Sequence, residues 1–244
     1  MIEQTPPIEV RIKPLQELEE FDRCVDLQLA VWGYSDGDVI PRRVFLVAER
    51  IGGVVLGAYV DGTMVGFSMG LPGFRNGHAY LHSHMLAVLP QYRNYGIGKK
   101  LKLAQRDEAL AKGFDLMEWT FDPMEIKNAY LNITRLGAIS RRYKANFYGP
   151  SSSPLQGGLP TDRLYAEWWL RSDRVTTTLR GESPKIEVKE SIEVPLQKSL
   201  DAQMRIREAL ESAFARGLAV VGYERNAEGD GRFLLGPWNE AALT

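Results

Sequence analysis

The segment Leu86 to Leu101, LAVLPQYRNYGIGKKL, joins an apolar run to a helical run through a loop that carries Arg93, Gly96 and Gly98. Glycine lets a ligand approach the backbone closely and reaches φ values closed to other residues. The first turn of a helix leaves amides without intrahelical acceptors, and these point at whatever lies beyond the N-terminus. Consecutive amides from Asn94 to Lys99, with the charge of Lys99 and Lys100 beside them, suit a diphosphate better than a single carboxylate. Two rival phosphate motifs fail on spacing. A P-loop needs a glycine where Arg93 stands and a Ser or Thr where Lys100 stands. A dinucleotide fingerprint needs a third glycine, whereas Lys-Lys-Leu follows Gly98.

Just upstream, His82 and His84 lie two apart in a β-prone run, so on a strand they project from one face. Histidine titrates nearest to neutral pH and suits proton transfer without a large shift. Glu118 and Asp122, on the next strand-like run, are the carboxylate alternatives, although acids there also read as a solvated strand end. The two imidazoles could share a zinc ion with a carboxylate such as Glu118. Neither cysteine partners nor an H-E-x-x-H pattern accompanies them, so no metal is expected. The single cysteine, Cys24, excludes an intrachain disulfide framework, and with no histidine near it in sequence a covalent role for it is not expected.

These residues need a scaffold, and hydrophobic periodicity outlines one. Ile8–Ile12 alternates as a short strand, and Leu15–Trp32 and Arg42–Arg50 read as helices ended by Gly52-Gly53. Val54–Val60 and Thr63–Leu71 form a hairpin across Asp61-Gly62. Ala79–Leu89 is a third strand, Gly98–Lys112 a helix and Phe114–Phe121 another strand. Asn128–Leu136 then looks helical, with Gly137 as its cap, and Ile139–Tyr148 reads as an aromatic-rich strand. The Gly-, Ser- and Pro-dense stretch 149–160 reads as a linker. Beyond it come a strand over Arg163–Arg171, a polar stretch Thr176–Pro184, a short strand Ile192–Val194, a helix Asp201–Arg216 and a closing hairpin from Leu218–Glu224 to Phe233–Leu235. The expected organisation is α/β (α+β): a mixed, mostly antiparallel sheet flanked by helices in a domain 1–150, and a small α+β extension over 151–244.

A chain of 244 residues can bury a sizeable core, and its net charge of -1 lacks the excess that would imply nucleic acid or an anionic membrane as partner. The N-terminal residues show no apolar signal core and no run is long enough to span a membrane, so a soluble, cytoplasmic protein is expected. The aromatic cluster Tyr143, Phe147, Tyr148, Tyr165, Trp168 and Trp169 reads chiefly as core packing, and Arg141, Arg142 and Lys144 as a solvated face.

The stretch VLPQYRNYGIGKKL resembles the acetyl-CoA signature R/Q-x-x-G-x-G/A of the GNAT (GCN5-related N-acetyltransferase) superfamily, with its Pro-x-Tyr-Arg lead-in. The element order over Ile8 to about Tyr148 is similar to that of the superfamily's fold. The resemblance implies an acyl-CoA N-acyltransferase with acetyl-CoA as co-substrate and an amine on a small molecule or protein as acceptor. Backbone groups of Leu86, Ala87 and Val88 would then pair with the pantetheine arm. Arg93, Asn94, Tyr95, Gly96, Ile97, Gly98 and Lys99 would hold the pyrophosphate. Leu136-Gly137-Ala138 resembles the close of the last family motif, and Asn128 stands, at a different offset, for the family's pantetheine asparagine. His82 falls where histone-type members place their catalytic carboxylate. Ile133 occupies the place of the tyrosine that many members use as acid to the leaving thiolate, leaving Tyr130, Tyr95 or water for that role. The same pattern admits a catalytically silent CoA-binding sensor, and the extension 151–244 could build a homodimer interface or a lid. The acceptor and the acyl chain length are left open by the sequence.

Overall fold

The computed structural model describes residues 8–34, 37–150 and 156–238. They form two compact units, one within Met1–Phe114 and the other within Asp115–Ser151 and Gln156–Thr244. Helices and strands mix along the chain, and the sheets are largely antiparallel with helices packed on them. Part of the expected linker, residues 151–155, lies outside the described residues. Among the described residues, no helix is long and apolar enough to cross a membrane.

In the first unit, β1 (Arg11–Pro14) pairs with β2 (Val54–Val60) after the chain passes through α1 (Leu18–Trp32) and α2 (Arg42–Arg50). Pro14 lies inside β1 opposite Leu56, two residues beyond the expected end of the strand at Ile12. A proline is tolerated there because β1 is at an edge of the sheet, where one face of its backbone has no ladder to complete. β2 turns at Asp61-Gly62 into β3 (Thr63–Arg75), which runs four residues beyond the expected end and turns into β4 (His78–Val88) at Asn76-Gly77. Both turn residues have positive φ, 51° and 83°, as a two-residue hairpin of matching twist requires. A short 3-10 turn, Pro90–Tyr92, leads to α3 (Ile97–Ala111), whose buried Ile97, Leu101, Gln105 and Ala109 recur every four residues.

The core of this unit joins Phe21 and Cys24 of α1, Phe45 and Ala48 of α2, and Phe67, Met69, Met85 and Ala87 of the β3–β4 pair. Phe45 stacks near-parallel on Phe21 with centroids 6.3 Å apart and meets Phe67 edge-on at 5.6 Å.

The second unit contains β5 (Leu116–Phe121), α4 (Ile126–Ala129), a π-helical turn (Tyr130–Arg135), β6 (Tyr143–Lys144), β7 (Arg163–Trp169), α5 (Asp173–Leu179), β8 (Glu190–Val194), α6 (Leu200–Ala215), β9 (Leu218–Arg225) and β10 (Gly231–Pro237). β7 lies between β5 and β6, and β10 between β8 and β9, all antiparallel. Three expectations are corrected here. The helix over 128–136 winds as π in its second part, with the Leu136 amide donating to Leu131 O at 3.0 Å. The strand over 139–148 is reduced to β6 and to isolated bridges at Ile139 and Ser140, because Asn146 (φ 45°) turns the chain back. α5, started by Ser172, whose hydroxyl accepts from the Val175 amide, runs into the stretch Thr176–Pro184 that reads as merely polar.

Phe67 is fully buried against two other rings, so Phe67→Ala is expected to cost about 3–5 kcal/mol of stability, read as a lowered urea midpoint.

Candidate active site

β4 delivers the chain to the loop, and the loop's backbone is shaped before α3 begins. The amide of Tyr92 donates to Leu89 O and that of Arg93 to Pro90 O, closing the 3-10 turn. Asn94 then adopts φ 69° and Gly96 φ 75°, both left-handed. Gly96 caps α3, and the first intrahelical bond is Lys100 N to Gly96 O at 3.0 Å. The amides of Ile97 and Gly98 therefore have no acceptor inside the helix and face outward along its axis. A Cβ built on Gly98 would meet only Leu86 Cδ2, at 3.6 Å, so the space above this residue is open. Arg93 is exposed and its Nε donates weakly to Val88 O at 3.4 Å, while Lys99 is half-buried. This arrangement fits an elongated polyanion such as the diphosphate of CoA.

The strand before the loop holds the two histidines. Leu71 faces His82, Gly70 faces Ser83 and Met69 faces Met85, so His84 is an extra residue on β4, a β-bulge. Residues opposite each other on antiparallel strands share a face. Leu71 and Met69 are two apart on β3, so His82 and Met85 share one face although they are three apart on β4. Ser83 and Leu86 share the other, opposite Gly70 and Ser68. Simple alternation through the whole strand is thus corrected: the bulge at His84 turns the strand over. The rings of His82 and His84 nonetheless lie close, 5.9 Å between centroids and tilted by 38°. Both are half-buried, and burial lowers the His84 pKa from its ordinary value, so its ring is neutral at neutral pH. Leu86, Ala87 and Val88 follow directly, opposite Ser68, Phe67 and Gly66.

The carboxylate candidates belong to the second unit and are engaged there. Glu118 is 1% exposed and accepts from Arg142 Nη2 at 2.7 Å. Glu167, directly opposite it on β7, is equally buried and accepts from Arg142 Nε at 3.1 Å and Arg141 Nε at 3.0 Å. Arg141 and Arg142 are therefore not merely a solvated face: they neutralise two buried acids whose unpaired charges the fold could not otherwise hold. Asp122 forms an ion pair with Lys198 at 2.9 Å. Asn128 is exposed on α4, Ile133 is buried in the π-helical turn and Tyr130 is half-buried. Of the aromatic cluster, Trp168 is core, donating its Nε1 proton to Leu136 O at 2.7 Å, whereas Phe147 and Tyr148 are exposed and meet edge-on, 4.6 Å between centroids. Burial pushes the Cys24 thiol far above its ordinary pKa, so it carries no thiolate for nucleophilic attack. Among the described residues, no group of three or more His, Cys, Asp or Glu could hold a metal ion.

Residues 16–128 match the family model described as the acetyltransferase (GNAT) family. No curated protein matches the chain. Solved structures of the same fold include the ribosomal-protein-S18-alanine N-acetyltransferase from Escherichia coli, at 16% identity and TM-score 0.51 over 65% of this chain and 92% of that one. A Salmonella typhimurium protein solved with its cofactor acetyl-CoA gives 15% identity and TM-score 0.52 over 66% and 94%. Arabidopsis thaliana Naa50, in complex with the bisubstrate analogue CoA-Ac-MVNAL, gives 16% and 0.51 over 66% and 98%. The segment that matches the acetyltransferase (GNAT) family model, a little under half of the chain, contains the hairpins, the bulged strand, the glycine-shaped loop and α3 together.

Proposed function

We propose that the protein transfers an acetyl or other short acyl group from acyl-CoA to an amine by direct attack, with a histidine of β4 as general base. The observation that carries this reading is the start of α3, where outward amides and an open Gly98 follow the strand that bears the histidines. Structures of similar fold hold acetyl-CoA and a CoA–peptide bisubstrate analogue, which supports CoA as the donor's carrier. In this reading Arg93 and the amides of Asn94 to Lys99 bind the diphosphate, and backbone groups of Leu86, Ala87 and Val88 align the pantetheine arm. Asn128 is retained as a further contact to that arm. CoA supplies an activated thioester. A neutral imidazole accepts the amine's proton, for which the lowered His84 pKa suits that ring, with His82 beside it. Glu118 is the weaker candidate, since its carboxylate is held by Arg142. The buried Ile133 at the place of the family's tyrosine acid favours, as a second reading, a CoA-binding protein without turnover.

Calorimetric titration with acetyl-CoA tests the carrier site. Wild type is expected to bind, and Gly98→Glu to lose binding while unfolding at the wild-type temperature, because the new side chain has room but places a carboxylate in the cradle. Absence of wild-type binding to any acyl-CoA would refute the proposal. Release of CoA on incubation with a panel of amines separates the two readings. If transfer occurs, replacing the histidine that serves as base by alanine is expected to lower turnover about 10²–10⁴-fold with acetyl-CoA affinity unchanged, and activity retained by both His82→Ala and His84→Ala would remove histidine as the base.

A stability profile gives an independent check on His84. Its folded pKa is lowered, so the contribution of the neutral ring is complete above the unfolded value near 6.5 and is lost as pH falls through and below it. Urea midpoints of wild type should therefore fall from about pH 7 to 5 more steeply than those of His84→Ala.

A further inference from the structure

The face of β4 that turns towards α3 carries a hydroxyl that the proposed transfer does not use. Ser83 is buried and immediately precedes the bulged His84. Its Oγ accepts from Lys102 Nζ at 2.7 Å and donates to Gln105 Oε1 at 2.6 Å. Lys102 and Gln105 are both buried and lie three apart on α3, hence on one helix face. Burial holds the Lys102 amine well below its ordinary pKa. Polar groups this deep persist only as a hydrogen-bonded set, and a set with fixed donors and acceptors specifies one arrangement where apolar packing would accept several.

That specificity is needed here. A bulge can migrate along a strand, and each one-residue slip sends side chains to the opposite face. With Ser83 tied to α3, the slip has to occur after it, at His84. α3 is also the helix whose first turn forms the cradle, so the same element positions the anion-binding amides and the strand that bears the histidines.

We propose that Ser83, held by Lys102 and Gln105, is a positioning residue that fixes the bulge at His84 and so aims His82 and His84. Its effect on turnover rests on the acyl-transfer reading above; its effect on geometry does not.

The three histidines of the chain, His78, His82 and His84, all lie on β4, so selective ¹³C labelling yields three ring signals. Ser83→Ala and Lys102→Met are expected to shift the His82 and His84 signals and to leave His78, at the exposed start of the strand, in place. Acetyl-CoA affinity should stay within about twofold, while turnover of any amine that wild type acetylates falls roughly ten- to a hundredfold. The proposal is overturned if the His82 and His84 signals stay put in a folded Ser83→Ala or Lys102→Met, if all three histidines shift alike, or if the signals move and turnover does not. Should wild type acetylate no amine, the acyl-transfer reading fails, and the ring signals still decide whether Ser83 holds the bulge.

Discussion

The outward amides of Ile97 and Gly98 cannot bond within α3, because a helix offers its first turn no preceding carbonyls. An anion can satisfy several of them at once and also meets the positive end of the helix dipole. Everything nearby follows from keeping that first turn open. Gly96 takes a left-handed conformation so that the chain can enter the helix from the 3-10 turn, and Gly98 presents no side chain to the space in front of it. The apolar stripe Ile97, Leu101 and Ala109 then anchors the helix in its unit, so the amides are preorganised and no ordering cost falls on ligand binding.

The histidines depend on a different constraint, the register between β3 and β4. Phe67, Met69, Met85 and Ala87 must face the core under α1 and α2, which fixes the upper part of β4. Ser83 must face α3, which fixes the lower part. These two demands are out of phase by one residue, and His84 absorbs the difference. The half-burial that depresses the His84 pKa is a consequence of where that extra residue falls.

Local patterns disclosed much of this and missed what depends on distant partners. The strand-to-helix passage with its glycine-shaped loop was legible because its geometry is contained in a dozen consecutive residues. The Asp61-Gly62 hairpin was legible for the same reason, and Asn76-Gly77 and Ser172-Asp173 carried equally local signals for a turn and a helix start that the reading passed over. The bulge was not legible, since a strand of alternating character records no slip; it exists only in the pairing with Met69 and Gly70. Arg141 and Arg142 look like surface charges until Glu118 and Glu167, each more than twenty residues away in sequence, are brought against them. The π winding of Tyr130–Arg135 is likewise invisible in a short apolar run, which fits α and π periods about equally well.

The burial of Cys24 has a practical side. It is the chain's one cysteine, sealed in the core beside Phe21, with its thiol held firmly protonated. A folded sample therefore presents almost no reactive sulfur of its own to a disulfide-exchange dye. Free CoA released in solution would be the thiol such a dye detects, so the chain can be surveyed against many amines by colour, without alkylation or mutation beforehand, and a slow late rise in signal would report unfolding.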